Sequence, residues 1–359
     1  MLLGRTASGL YWMHRYIERA ENMARIVDAG LRMALTRTSD APAEWSSVVV
    51  TSGTEDGFRK KHDVYSASTV SDYLLRDDDN PSSVLSCIEG ARSNARMVRT
   101  ALTREAWESV NEAWMVIKRA LASPVPASEL PVVLDQIKRE TALIRGTFHG
   151  TMLRNEIFDF ARIGTFIERA DNTARILDVK YHLLLPSVSY VGTSLDNYQW
   201  ESILRSVAAH RSYRWVYDVQ YKPVNIADYL MLNGRMPRSL HFCYLNIVEN
   251  LGYLAEDYGV RHACHDTAGN TLATLKATRS SKSSRTACTN SSPGSSARTT
   301  VSASILPKPT TSIESGHASR DPSHLPVSLR PARALRVAAA AASSPDVPGA
   351  ESHRLAGHS

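Results

Sequence analysis

Two Glu-Arg motifs in this chain are the residues whose types and spacing could do chemistry. Residues 17–28 read IERAENMARIVD and residues 167–178 read IERADNTARILD, so nine of twelve positions are identical at an offset of 150. On a helix, the shared Glu, Asn and second Arg of each motif lie along one face, roughly opposite the apolar positions. The candidate site residues are Glu18, Arg19, Asn22 and Arg25 in the first copy and Glu168, Arg169, Asn172 and Arg175 in the second.

These motifs leave three uses open. In an enzyme, Glu18 or Glu168 is the candidate general acid or base, with its pKa raised by burial, and an Arg orients a substrate carboxylate. In an architectural network, loss of one partner strands a buried charge, so both copies must keep the same residues. On a solvated face the charged residues exchange at little cost, so identity is not required. We therefore predict that the two helices cross and interlock these side chains.

Other candidate chemistry in the sequence is weaker. His262, Cys264 and His265 fit no standard metal-ligand spacing, and we expect them to cap and pack a helix end. His14 and Glu18 are four residues apart, but Gly164 replaces the histidine in the second copy and the di-iron Glu-x-x-His pattern is absent. The chain also has no glycine-rich phosphate loop and no nucleophile elbow. We therefore expect no metal and no cofactor.

A second basic region combines arginines with aromatic residues. It could form a surface that binds carboxylates or phosphates. The favoured interpretation is that the arginine stems cover an aromatic core. The residues are Arg205, Arg211, Arg214 and Arg238 with Trp200, Tyr213, Trp215 and Tyr217.

The apolar pattern predicts an all-α fold. Apolar residues recur three and four apart in both motif segments and in most of the first 277 residues, as expected of helices with one buried face. The segment Trp45–Ser52 alone looks strand-like, Asn80-Pro81 predicts a helix start, and Pro237 opens the last well-patterned helix. We predict a multi-helix bundle with an internally duplicated Glu-Arg helix, in repeats of about 1–122 and 131–277.

The composition changes near Thr278. From there to Ser359 the chain has no Phe, Trp or Tyr and is rich in Ser, Pro and Ala, so we predict a disordered tail over 278–359. The net charge of +6 lies in this tail, which carries ten basic and four acidic residues from Arg279 onward. The remainder is balanced, and we expect no nucleic-acid binding. Scattered cysteines and the absence of a signal-like or membrane-spanning stretch favour a soluble cytoplasmic protein.

The sequence resembles the bacterial Alpha-E family, a helical domain known for a Glu-Arg motif in tandem copies. The resemblance covers about Met1 to Ala277 and places the motif on Glu18-Arg19 and Glu168-Arg169. It is carried by RTASGLYWMHRYIERAEN, NPSSVLSCIEGARSNARMVR, FARIGTFIERADNTARILDVKYHLL, WESILRSVAAHRSYR and PRSLHFCYLNIVENLGYLAED. Members are typically encoded beside circularly permuted ATP-grasp ligases, transglutaminase-like proteins and an amino-terminal-nucleophile peptidase. These neighbours imply a role in peptide synthesis or modification.

Three functional hypotheses follow from the resemblance. The first is a scaffold or peptide-binding subunit of a peptide synthesis or modification system that acts with ATP-grasp ligase and transglutaminase-like partners. The second is an enzyme of that system that uses the buried Glu-Arg pairs for acid–base work on a peptide or amide. The third is a purely structural helical bundle.

The carboxy-terminal end departs from the family pattern. Family members usually end in a further helix with a His-Glu-Phe element, an Asn-Asn-Arg-Leu-Gly element and an aromatic terminus, which are missing here. Codons for Leu-His-Glu-Phe, read one base late, can encode residues 288–291, and codons for Glu-Asn-Asn-Arg can encode residues 298–301. We hypothesise a frameshift near Ala277–Arg279, which the nucleotide sequence of the gene tests directly.

Overall fold

The computed structural model describes residues 2–34, 41–182, 194–217 and 221–289, and these residues form helices and no strands. The all-α prediction is therefore confirmed for this part of the chain. The helices are α1 (Gly4–Ala34), α2 (Ala41–Ser52), α3 (Glu55–Arg59), α4 (Ala67–Leu75), α5 (Val84–Met97), α6 (Arg104–Ala120), α7 (Leu130–Thr151), α8 (Glu156–His182), α9 (Ser194–Ser206), α10 (His210–Val216), α11 (Pro223–Leu232), α12 (Leu240–Tyr258) and α13 (Ala263–Thr289). A short 3₁₀ helix, Arg99–Ala101, joins α5 to α6.

The strand-like segment Trp45–Ser52 is helical and belongs to α2. Trp45, Val48 and Val49 are three and four residues apart, and all three are buried. The ring of Trp45 and a methyl group of Val48 pack over Gly30 of α1, which has no side chain to hold α2 away. Helical packing therefore overrides the high strand propensity of the three consecutive valines.

The helices α1 and α8, which carry the Glu-Arg motifs, run side by side in the same direction. Contacts between Tyr11 and Gly164, between Arg15 and Glu168, and between Glu18 and Arg169 all join residues about 150 positions apart. A constant offset between contacting residues is possible only when two helices run parallel. At Gly164 the helices touch closely, since a side-chain carbon there would collide with the backbone carbonyl of Tyr11.

The duplication extends beyond the motif helices. α5 packs on α1, and α12 packs on α8. Ser83 caps α5 by accepting a hydrogen bond from the backbone of Ser86, and Ser239 caps α12 in the same way, at an offset of 156. Two residues before each cap stands a proline, Pro81 or Pro237, and a buried cysteine of each following helix contacts its carbonyl. The helix predicted to start at Asn80-Pro81 therefore starts after Ser83, and the one predicted at Pro237 starts after Ser239.

Two clusters of buried apolar residues fill the described part of the bundle. The first runs from Met13 to Ala161 and includes residues of α7, which packs against α1 and α6. The second runs from Phe166 to Leu275. The proposed repeats of about 1–122 and 131–277 place α7 in the second repeat, although its apolar face belongs to the first cluster.

The last described helix enters the segment predicted to be disordered. Residues 278–289 form the end of α13, and residues 290–359 of the predicted tail lie outside the described residues. None of the helices in the described ranges combines the length and hydrophobicity of a transmembrane segment.

The close contact at Gly164 predicts a strong effect of a single methyl group. Gly164→Ala must move α1 and α8 apart because the obstacle is backbone, and we expect a loss of about 2–3 kcal/mol in the free energy of unfolding. Gly146→Ala on α7 is the matched control, since nothing lies within 4 Å of its added carbon. It should stabilise by about 0.5–1 kcal/mol. Urea unfolding of both variants measures the difference, and equal stability would contradict the close approach.

Candidate functional site

The two motifs exchange partners between α1 and α8. Glu168 of α8 accepts hydrogen bonds from Arg19 of α1, with Nε 2.7 Å from Oε1 and Nη2 3.0 Å from Oε2. Arg15, one turn earlier on α1, adds a bond from Nε to Oε2 of Glu168 at 2.8 Å. In the opposite direction, Arg169 of α8 donates from Nε to Oε1 of Glu18 at 2.9 Å. Each glutamate is therefore neutralised by the arginine of the other copy.

Two arginines outside the motifs complete the network. Arg238 precedes α12 and is only 6% exposed. Its Nη1 lies 2.6 Å from Oε1 of Glu18, and its Nη2 lies 2.8 Å from Oε1 of Glu21. Arg145 of α7 forms an ion pair with Glu21 and lies 3.6 Å from Oε2 of Glu18. The network thus ties α7 and the start of α12 to the central pair of helices.

The remaining residues of the two motifs do not pair with each other. Asn22 accepts a hydrogen bond from Arg238 at 2.9 Å, whereas Oδ1 of the buried Asn172 has no partner among the described residues. Arg25 donates to Glu21 of its own helix at 2.7 Å. Arg175 pairs with Asp171 of its own helix and donates to the backbone carbonyl of Ser52 in α2. The structure therefore brings the glutamates and first arginines together, while the second arginines hold local or neighbouring structure.

The sequence-based hypotheses missed Arg15, Arg145 and Arg238 as members of the network. Arg15 could have been found from its position four residues before Arg19, on the same face of α1. The sequence pattern groups Arg238 with arginines that cover an aromatic core, but it lies in the glutamate network instead. Arg145 carries no sequence feature that distinguishes it from other polar residues of an amphipathic helix.

The arginine–aromatic region does not form one surface in the structure. Arg238 is buried against α1, while Arg205 pairs with Glu201 one turn earlier on α9 at 2.5 Å. Trp200 is fully buried, whereas Trp215 is 77% exposed. The spacing that suggested a shared surface results from two short helices, α9 and α10, which are separated by a turn with Ala208 at positive φ.

The arginines hold the motif carboxyls in the ionised form. Burial alone would raise the pKa of Glu18, but the guanidiniums of Arg169, Arg238 and Arg145 outweigh burial and hold that pKa well below its usual value. Burial would also raise the pKa of Glu168, but the charges and hydrogen bonds of Arg19 and Arg15 outweigh burial and lower that pKa. The prediction of raised glutamate pKa values is therefore wrong, because each buried carboxyl contacts more than one guanidinium.

His14 is neutral at the edge of the network. Burial and then the charge of Arg145 lower its pKa to about 3. Its ring packs against Phe148 with 4.3 Å between ring centroids, and its Nδ1 lies 3.4 Å from the hydroxyl of Thr165. His14 therefore fills space between α1, α7 and α8. Its counterpart in the second copy, Gly164, has no side chain.

His262 immediately precedes α13, and His265 lies in the first turn of that helix. Nδ1 of His265 accepts from the backbone N–H of His262 at 2.9 Å, and Nε2 faces the carbonyl of Leu251 at 3.1 Å. Both ring nitrogens therefore contact backbone, as expected of a residue that caps a helix end. Across the described ranges, His, Cys, Asp and Glu side chains do not converge in groups of three or more that could hold a metal ion.

The comparison with protein families decides the identity of the chain. Residues 2–293 match the model of Alpha-E, described as a predicted alpha-helical domain with a conserved ER motif, where ER denotes Glu-Arg. The chain belongs to the Alpha-E family. The matched range extends 16 residues beyond Ala277, where the quoted resemblance ended.

Similar proteins occur in mycobacteria. The chain is 27% identical over 183 residues to an uncharacterised protein of Mycobacterium bovis and, at the same identity, to one of Mycobacterium tuberculosis strain CDC 1551. The match covers 46% of this Alpha-E chain and 21% of each relative. This chain therefore spans about a fifth of the length of the curated relatives it matches. No solved structure matches it.

Removal of one buried charge tests the network. Glu168→Gln keeps the size of the side chain but leaves Arg15 and Arg19 without their carboxylate. We expect the free energy of unfolding to fall by roughly 3 kcal/mol, the low end for a broken buried pair, because both arginines keep some contact with water. Glu112→Gln, at an exposed position on α6, is the matched control and should change stability by less than about 0.5 kcal/mol. Similar losses in the two variants would contradict the network.

The lowered pKa values of Glu18, Glu21 and Glu168 predict acid lability. Below about pH 4.5 the carboxyls of the unfolded chain take up protons that the folded network does not, so acid favours unfolding. Their stabilisation should be complete at neutral pH and decline as the pH falls below 4.5. Urea unfolding from pH 7 to pH 3 measures the slope, which should be shallower in Glu168→Gln than in the parent or Glu112→Gln. Equal slopes in all three proteins would refute the assignment.

Proposed function

We propose that this Alpha-E protein is a non-catalytic scaffold or peptide-binding component of a bacterial peptide synthesis or modification system. Its partners would be ATP-grasp-type ligases and transglutaminase-like proteins. In this proposal the Glu-Arg motif builds the platform and does not touch substrate. The chemistry belongs to the partners, and this chain holds them or their peptide in place.

The enclosure of the motif carboxylates is the observation that carries the non-catalytic part of the proposal. Glu18 and Glu168 are both 0% exposed, so no substrate reaches them without opening the contact between α1 and α8. Each carboxylate also accepts hydrogen bonds from two arginines. A general acid or base needs a pKa near the working pH and access to the reacting proton. The lowered pKa and the enclosure both count against the enzyme hypothesis.

Two further facts support a role beside other proteins. The family resemblance implies neighbours that supply ligase and transglutaminase-like chemistry. In the mycobacterial relatives the similar segment covers 21% of the chain, so it is joined there to a large amount of further sequence. A helical module that acts within a larger assembly suits both facts better than an independent enzyme does.

A reconstitution experiment tests the proposal. The protein is co-expressed with the ATP-grasp and transglutaminase-like proteins encoded beside its gene, and both co-purification and product formation are followed, the latter by mass spectrometry. We expect complex formation and a product that depends on this protein. Glu18→Gln, assayed below its melting temperature, should give the same yield per folded molecule, as should the control Glu112→Gln.

Two outcomes would overturn the proposal. A folded Glu18→Gln protein that binds the partners but yields no product would favour the enzyme hypothesis. A wild-type protein that binds no partner and changes no product would leave only the structural bundle. Circular dichroism at the assay temperature separates loss of fold from loss of function.

A further inference from the structure

A cleft of about 440 Å³ lies at the amino-terminal end of α8, outside the Glu-Arg network. We call it the α8–α12 cleft. It lies between the end of α7, the start of α8 and one face of α12. The lining residues used below are Arg154, Asp159 and Arg162, with Glu249, Tyr253 and Asp257 on α12.

An unpaired carboxylate forms the floor of this cleft. Asp159 is only 5% exposed, and its carboxylate oxygens, which keep contact with the solvent of the cleft, have no hydrogen-bond or ion-pair partner among the described residues. Glu249 and Asp257 stand on the rim and are exposed. A mostly buried carboxylate without a counter-charge is unfavourable, so a cation bound in the cleft would stabilise it.

The nearby arginines do not neutralise Asp159. Arg154 donates to the backbone carbonyls of Met152 at 2.9 Å and His149 at 2.6 Å, and its guanidinium stacks 4.0 Å from the ring of Phe158. Arg162 donates to the side chain of Asn246 and lies over the ring of Phe166. Both guanidiniums are therefore held by neutral acceptors and aromatic faces. Neither pairs with the Asp159 carboxylate, which favours a bound cation as its counter-charge.

The charge around Asp159 also favours a bound cation. Burial, then the carboxylates of Asp257 and Glu249, raise the pKa of Asp159 to about 6, while Arg162 opposes the shift. At pH 7 the carboxylate is mostly ionised and lacks a partner. A cation in the cleft would offset the cost of burying the Asp159 carboxylate and its repulsion by Asp257 and Glu249.

The internal duplication shows that the fold does not require an acidic cleft. A second cleft lies at the corresponding end of α1 and α5, where Arg5, Ser93 and Met97 are lining residues. At the offsets of the two repeats these positions correspond to Asn155, Glu249 and Tyr253, which line the α8–α12 cleft. Gly9 occupies the position of Asp159. The two copies thus keep the cleft but differ in its charge.

We propose that the α8–α12 cleft binds a primary ammonium group on an organic ligand, with Asp159 and Glu249 as hydrogen-bond acceptors and the exposed ring of Tyr253 against its carbon stem. The volume exceeds that of a bare ion, and an aromatic ring suits an aliphatic stem that ends in a cation. A lysine side chain and the amino terminus of a peptide share this chemistry. The inference rests on the proposed peptide-binding function and names the group recognised.

Three small probes distinguish the sources of the amine. Calorimetry at pH 7 and low salt measures binding of the full-length protein to Nα-acetyl-lysine N-methylamide, norleucine N-methylamide and Nα-acetyl-norleucine N-methylamide. These carry a side-chain ammonium, an α-ammonium and no charge, respectively. We expect at least one charged probe to bind and the neutral probe not to bind, and the charged probe that binds identifies the source.

Matched variants test the residues. Asp159→Asn should weaken binding of the charged probe at least tenfold, Glu249→Gln should weaken it less, and Glu112→Gln should leave it unchanged. Glu249→Gln keeps the test valid if Asp159→Asn does not fold. The inference fails if charged and neutral probes bind alike, if both cleft variants bind as the parent does, or if only magnesium or calcium binds in an Asp159-dependent way. These measurements need no partner protein, so their failure and failure of the reconstitution are separate results.

Discussion

The carboxylate of Glu168 lies on α8, and both guanidiniums that neutralise it, from Arg15 and Arg19, lie on α1. Glu18 repeats this dependence in the other direction through Arg169. If either helix were removed, charged groups on the other would lose their partners. An unpaired buried charge destabilises a protein by more than the intact pair stabilises it. This reciprocal neutralisation requires the parallel approach of α1 and α8 and the absence of a side chain at Gly164. It also explains why both copies keep the same Glu-Arg pair.

Away from that centre the two copies differ. Ser82 stands where the second copy has Arg238, so the cap region before α5 has a hydroxyl and the region before α12 supplies a buried guanidinium. Gly9 stands where the second copy has Asp159. A shared centre fixes how the repeats pack, whereas positions outside it are free to take different charges. The shared Glu-Arg centre is therefore architectural, and the acidic charge of the proposed binding cleft comes from a difference between the copies.

Much of the central pairing could be predicted from the sequence, because identical polar residues at a fixed offset are hard to explain on a solvated face. The contributions of Arg145 and Arg238 could not, since those residues come from α7 and the start of α12, and only tertiary packing brings them to α1. The direction of the glutamate pKa shift depends on how many guanidiniums reach each carboxyl, which no linear pattern encodes. Trp45–Ser52 looks strand-like because strand propensity is a local property of its residues, whereas its packing against Gly30 of α1 is not local.

A double-mutant cycle tests the exchange of partners most directly. Glu168→Gln and Arg19→Gln are made singly and together, and the coupling energy is taken from urea unfolding. A second cycle uses Glu18→Gln and Arg19→Gln, which are adjacent in sequence but do not pair. We predict a favourable coupling of about 1–3 kcal/mol for Glu168 with Arg19 and less than about 0.5 kcal/mol for Glu18 with Arg19. Equal couplings, or a larger coupling for the adjacent pair, would contradict the exchange between the two copies.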